Sequence, residues 1–290
     1  MKKTLLLALI ISLAGLQTQA QTEGESDWKS QGKIGINFSQ SQFTNWAAGG
    51  QNALNALGLF NYKLNYKKEK HIWDNSLDMA LGYSHIGQAK LMKTDDRIEF
   101  NSLYGKNATE KLFYSLSFSF KTQFADGFDY KVDSTTPISG FFAPAYTTLG
   151  LGLEYKPTSY LSFNFSPLTG RVTMVMDQKL ADSGSFGVEK GKNIRFELGA
   201  KASVKLEKEV FKNVTIGTKL ELFSDYLKNP SSIDVDWQAM INMKVNKWLN
   251  ANISTHLIYD EDIMITDVDG NKGPRTQFKE VLSIGLSHSF

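Results

Sequence analysis

Along most of this chain apolar side chains recur at every second position, with polar residues between them. The clearest run is Leu112, Tyr114, Leu116, Phe118 and Phe120, alternating with Ser115, Ser117, Ser119 and Lys121. Period two marks a strand with one apolar and one polar face. Eleven further segments share it. Before that run, Ile34 to Phe38 alternates with Lys33 and Asn37, and Leu54 to Tyr66 with Asn61 and Lys63. Trp73 to Tyr83 then opposes Asp74 and Asp78, and Ile98 to Tyr104 opposes Arg97 and Glu99. After it come Leu149 to Tyr155, with Glu154 inward, and Leu161 to Phe165, with Ser162, Asn164 and Ser166 inward. Ile194 to Val204 faces away from Arg195, Glu197, Lys201 and Lys205, and Val214 to Leu222 from Lys219 and Glu221. Ile233 to Val245 opposes Asp234 and Asp236, and Leu249 to Tyr259 opposes Asn250, Asn252 and His256. The last run is Leu282, Ile284, Leu286, His288 and the terminal Phe290.

The connections alternate too. Short ones fall at 67–70, 106–110, 156–159, 207–212 and 246–247, and longer ones at 39–52, 85–94, 125–144, 167–192, 225–232 and 260–274. Short turns on one rim and long loops on the other are the layout of an outer-membrane barrel. The two periodicities predict an all-β fold: a twelve-stranded antiparallel transmembrane β-barrel with short periplasmic turns and long extracellular loops. Closure follows from solvation, because an open sheet edge in hydrocarbon leaves N–H and C=O groups unsatisfied at several kcal/mol each. A soluble sandwich shares the alternation but needs a dry interior, and the minor face here is Ser, Asn, Gly, Lys, Asp and Glu. Tyr62, Tyr66, Trp73, Tyr104, Tyr155, Tyr226, Trp237 and Tyr259 fall near strand ends, as interfacial girdles do.

Residues 1–20 read as a secretory signal peptide: Lys2 and Lys3, an apolar stretch from Thr4 to Leu16, and a small-residue site ending at Ala20. Residues 21–30 then form a short periplasmic segment and 31–290 the barrel. The apolar stretch is shorter than the ~20 residues a spanning helix needs. There is no cysteine, which excludes disulfides, thiol chemistry and a lipidated N-terminal Cys. The 32 basic and 30 acidic residues nearly cancel, so charge gives no case for nucleic acid as a partner.

The candidate lumen lining carries both signs: Lys63, Lys121, Arg195 and Lys219 with Asp74, Asp78, Glu99, Glu197, Glu221, Asp234 and Asp236. Such a lining suits selection of small charged solutes, or equally a salt-bridged network that fills the lumen. Trp46, with Gly49 and Gly50 freeing the backbone, is a candidate constriction in the first long loop. Phe290 is the candidate assembly signal. Asp260, Glu261, Asp262, Asp267 and Asp269 crowd the last loop, yet Gly270 comes too early for an EF-hand. No metal, cofactor or catalytic residue is assigned. An interfacial lipid hydrolase would need a Ser–His pair in reach, and Ser254 with His256 is the nearest approach to one.

The stretch Phe43-Thr44-Asn45-Trp46-Ala47-Ala48-Gly49-Gly50 resembles a motif of an uncharacterised outer-membrane family of Bacteroidota, a domain of unknown function. Lys93-Thr94-Asp95-Asp96-Arg97, Ser166-Pro167-Leu168-Thr169-Gly170 and Phe186-Gly187-Val188 are similar to that family's later motifs. The resemblance implies an outer-membrane barrel and brings no activity with it. The expectation is therefore a passive channel for small hydrophilic solutes in a Gram-negative outer membrane, narrowed by the loops at 45–50 and 167–192. The alternatives are a non-conducting structural or surface-interaction barrel and a lipid hydrolase. Expected partners are membrane lipids, lipopolysaccharide and the barrel-assembly machinery.

Overall fold

The computed structural model describes residues 26–42, 51–130, 132–266 and 270–290. The expected signal peptide, the loop residues Trp46, Gly49 and Gly50, and Asp267 and Asp269 lie outside the described residues. The strands are β1 (Trp28–Ser41), β2 (Ala53–Lys68), β3 (His71–Ile86), β4 (Met92–Asn107), β5 (Leu112–Thr122), β6 (Gly127–Asp129), β7 (Asp133–Ser139), β8 (Ala145–Thr158) and β9 (Leu161–Met174). A short helix α1 (Gln178–Ser183) follows, then β10 (Ile194–Phe211), β11 (Val214–Asp225), β12 (Asp234–Lys244), β13 (Leu249–Tyr259), β14 (Met264–Thr266), β15 (Lys272–Pro274) and β16 (Gln277–Ser289). The first strand thus opens at Trp28, ahead of the expected boundary at residue 31.

Twelve of these strands form a closed antiparallel barrel in the order β1-β16-β13-β12-β11-β10-β9-β8-β5-β4-β3-β2. The other four make two small hairpins, β6–β7 and β14–β15, inside long loops. Neighbours in the wall are neighbours in sequence because the short connections are tight turns. Glu69 between β2 and β3, and Asn213 between β10 and β11, take positive φ values of 48° and 67°, the left-handed conformation such turns require. Register is regular over most of the wall: β2 faces β3 from Ala53 opposite Ile86 to Lys68 opposite His71. The closing pair is shorter. β1 faces β2 from Trp28 to Ser41, but faces β16 only from Lys33 opposite Ser289 to Asn37 opposite Gly285. Gly32 and Phe290 extend that seam with reciprocal backbone hydrogen bonds of 2.7 and 2.9 Å.

Strand β9 departs from expectation. Its alternation breaks at Pro167, where the sequence places the start of a long loop, yet the strand runs on to Met174. Leu151 faces Leu168 while Leu153 faces Phe165, and Gly199 faces Thr169 while Lys201 faces Ser166. The strand therefore bulges at 166–168, a place where proline's missing N–H costs no ladder bond. The Thr169 hydroxyl donates to the Ser166 carbonyl at 2.9 Å, and the Tyr226 hydroxyl to the Pro167 carbonyl at 3.0 Å. Gly152 makes room for the bulge, since a Cβ there would overlap the Phe165 carbonyl oxygen. Beyond the bulge the inward set moves to Thr169, Arg171 and Thr173. The expected loop 167–192 is thus a strand to Met174 and a loop only from 175 onward.

That loop is packed. Val175, Leu180, Ala181 and Val188 bury themselves with Ala143 and half-buried Phe186 in a small apolar core on the long-loop side. Asp177 caps α1 by accepting from Leu180 N at 3.0 Å, and Gly184 ends it at φ 74°. In the β6–β7 hairpin, hydrogen bonds from Thr135 and Thr136 hold the Asp133 carboxyl down at about 2.

The wall has inverted polarity. Ile36, Leu151, Phe165, Phe196 and Leu282 expose more than half of their surface outward, whereas Glu99, Glu154 and Glu197 on the inner face are buried. Water would favour the opposite distribution.

Candidate functional site: the charged layer across the lumen

The inner face of each strand contributes long charged side chains, and closure of the sheet brings them together from opposite walls. β4 and β11 stand five places apart in the ring of twelve, yet Lys219 Nζ reaches Glu99 Oε1 at 2.7 Å. Lys121 on β5 meets Glu221 Oε2 on β11 at 2.8 Å and Asp236 Oδ2 on β12 at 2.9 Å. It also stands 4.0 Å from Glu99, while Lys219 lies 3.3 Å and Lys201 3.8 Å from Glu221. Three lysines and three carboxylates therefore share one layer. His256 Nε2 joins it through Asp236 Oδ1 at 2.9 Å. Arg97 donates to Gln238 Oε1 at 3.3 Å between β4 and β12, which are diametrically opposed.

Further pairs lie above and below this layer. Lys63 meets Glu207 at 2.6 Å between β2 and β10, again opposite walls. Lys156 pairs with Asp74, and Asp78 accepts from Asn61 Nδ2 at 2.6 Å. Toward the long loops, Arg171 grips Glu197 with Nε at 2.8 Å and with Nη2, and also reaches Asp234 at 2.6 Å. Arg195 completes the cluster with Glu197 at 3.1 Å and Asp262 at 2.9 Å, and Lys228 pairs with Asp262 too. Glu197 is 2% exposed at its side chain, the deepest charge in the molecule that the salt bridges involve. Two-point contacts of this kind fix orientation as well as charge.

All eleven lining residues predicted from the alternation lie on inner faces of barrel strands, and most of them meet in these pairs. Arg171, Lys156 and Glu207 were not in that set. Arg171 follows the bulge, where the parity changes, and the other two sit near strand ends that the sequence assigns to turns. Renewed alternation at Thr169, Arg171 and Thr173 is the signal that would have found Arg171.

The acidic last loop is engaged by cations of the protein: Asp262 by Arg195 and Lys228, with Glu261 accepting from Asn229 Nδ2 at 3.1 Å. Among the described residues no group of three or more His, Cys, Asp or Glu side chains is placed to hold a metal ion. A cavity of about 220 Å³ opens at this mouth, lined by Glu197, Asp234, Lys228, Asp262 and their neighbours. The histidine bonds run to Asp236 from His256 and to the Tyr104 hydroxyl from His71, at 2.7 Å.

These features define a closed twelve-stranded β-barrel with an ion-paired interior and an apolar exterior. A family described as Protein of unknown function (DUF3078) matches residues 38–128. That match takes in the Phe43–Gly50 and Lys93–Arg97 stretches and stops short of Ser166–Gly170 and Phe186–Val188. No curated protein matches the chain. Among solved structures the chain is similar to the translocator domain of autotransporter NalP from Neisseria meningitidis, at 11% identity over 100% of this chain and 96% of that one, TM-score 0.37. It is similar to the NanC porin at 10% identity, covering 89% and 98% of the two chains, TM-score 0.40. The COG4313 outer membrane channel from Pseudomonas putida F1 shares 10% identity over 94% and 99%, TM-score 0.42.

Proposed function

We propose that the protein is a membrane-embedded β-barrel of a Gram-negative outer membrane whose lumen is closed at mid-height in its resting form. Embedding is supported by the inverted polarity of the wall, which suits lipid outside and polar groups inside. Closure is supported by one observation above the others: lysines and carboxylates of opposing walls meet at 2.6–2.9 Å across the lumen. A hydrated ion passing through this layer would have to displace paired charges from one another. The protein then acts as a structural or surface-interaction barrel that presents its packed long loops outside the cell. The barrel-assembly machinery would recognise it through Phe290, and no catalytic role is assigned.

One observation favours the channel for small hydrophilic solutes as a second reading. Lys121 and Lys219 keep about a quarter of their side chains accessible (25% and 24%), so water reaches the layer. Lysine side chains can also swing aside without backbone movement.

Planar-bilayer conductance of the refolded mature chain separates the two. The expected result is silence from a heat-modifiable wild-type barrel and discrete steps from the Lys121→Ala/Lys219→Ala variant. Stable discrete steps from the wild type would overturn closure and establish the channel.

A further inference from the structure

We propose that the outward face of β2–β4 at the short-turn rim is a binding site for the headgroup of an anionic phospholipid. This proposal rests on the membrane reading above and adds a specific ligand class to one sector of the wall.

Strand register carries it. Lys68 faces His71, and His71 faces Lys106, so three potential cations lie in one row across three adjoining strands. Each shares the parity of an outward aromatic two residues away: Tyr66, Trp73 and Tyr104. Those aromatics are themselves direct partners, and Trp28 on β1 extends their row through its pairing with Tyr66. Their rings touch, with centroids 4.9 Å apart for Trp28–Tyr66 and 5.8 Å for Trp28–Trp73. The cationic row lies on the turn side of the aromatic row, displaced by roughly 7 Å along the strands. An aromatic belt at the glycerol level with cations one step further out matches the order of groups in a phospholipid from acyl chain to phosphate.

The chemistry of the row fits a phosphate diester. Lys68 and Lys106 stand on strands two spacings apart, roughly 10 Å between backbones, close enough for two long side chains to converge on one headgroup. Between them, His71 Nδ1 is engaged by the Tyr104 hydroxyl, which leaves Nε2 to donate to a phosphate oxygen. Lys70 and Lys111 flank the row in the adjoining turns, both exposed. The opposing carboxylates are Asp27, 2.9 Å from Lys68, and Glu69 and Glu110 in the turns. Lys68 remains 55% exposed despite its pairing.

The charge of the whole rim agrees. The five short turns (67–70, 106–111, 158–160, 207–213 and 244–248) hold nine lysines, four glutamates and no other charged residue. The long loops hold more acidic than basic residues. An anionic headgroup is therefore drawn to the short-turn leaflet and not to the other.

The test uses the full mature chain with Trp28 and Trp73 as reporters, in a Trp46→Phe/Trp237→Phe/Trp248→Phe background. The chain is refolded into phosphatidylcholine vesicles containing brominated phosphatidylglycerol or brominated phosphatidylcholine at equal mole fraction. Heat-modifiable migration is measured first; a chain that forms no such barrel in vesicles tells against the membrane reading, not against the site. In the folded barrel, at least threefold stronger apparent binding of phosphatidylglycerol is expected. It should fall to parity in Lys68→Gln/Lys106→Gln and persist in Lys179→Gln/Lys190→Gln at the opposite rim. Equal quenching by the two lipids in the parent protein would overturn the proposal. So would loss of the preference on adding millimolar inorganic phosphate, which would identify a free-phosphate site instead.

Discussion

Replacing Glu197 by alanine tests how dry the lumen is. Its carboxylate is 2% exposed, takes two hydrogen bonds from Arg171 and pairs with Arg195 at 3.1 Å. Removing one partner of a buried pair costs about 3–5 kcal/mol, because a charge is left buried without compensation. Here each arginine keeps a second carboxylate, Asp234 at 2.6 Å for Arg171 and Asp262 at 2.9 Å for Arg195. The expected loss is therefore at the lower end, about 3 kcal/mol. The assay is equilibrium urea unfolding of the barrel in lipid vesicles, followed by tryptophan fluorescence with matched refolding curves. A double-mutant cycle with Arg171→Ala should return a coupling of about 2 kcal/mol, because the two side chains share a network. A loss below about 1 kcal/mol, with additive single effects, is what a solvent-exposed pair gives. That outcome would refute the closed lumen on energetic grounds, independently of conductance.

Three further outcomes are expected. Leu116→Arg, outward and near mid-strand on β5, should destabilise the vesicle-embedded barrel by about 2–4 kcal/mol; a near-neutral result in the same urea assay would place that face in water. Gly152→Ala should lower the refolded fraction on a gel-shift assay, because the new methyl meets the Phe165 carbonyl and Ser166 backbone at the bulge, and overpacking of this kind costs about 1–3 kcal/mol. Phe290→Ala should slow formation of the heat-modifiable species, since the ring packs over Gly32 beside the seam; an unchanged refolding rate would show that the terminal aromatic is dispensable to closure.

The wall was legible in the sequence because lipid-type and water-type positions alternate on every strand of a barrel. Ser115, Ser117 and Ser119 against Leu116 and Phe118 leave little choice of face. The failures have local causes. One inserted residue at Ser166–Leu168 reverses inside and outside, so a strict period-two reading ends β9 eight residues early and loses Arg171. The β6–β7 and β14–β15 hairpins are too short to show a period. The pairing of charges was not legible at all. Alternation says that Lys121 and Glu221 face inward, but their meeting depends on the curvature of the closed sheet and on the register of every ladder between β5 and β11. The same limit applies to the row Lys68–His71–Lys106, which exists only once β2, β3 and β4 are aligned.

The seam gives the barrel a mechanical direction. β1 is laddered to β2 over fourteen positions and to β16 over five, so its two edges are held unequally. A stress that widens the ring is relieved where the fewest bonds must break, and that is between Phe38–Ser41 and the facing part of β16. The wall thus has a preferred tear line on its long-loop half, and the β1–β2 hairpin is the leaf that would swing outward, hinged on β3.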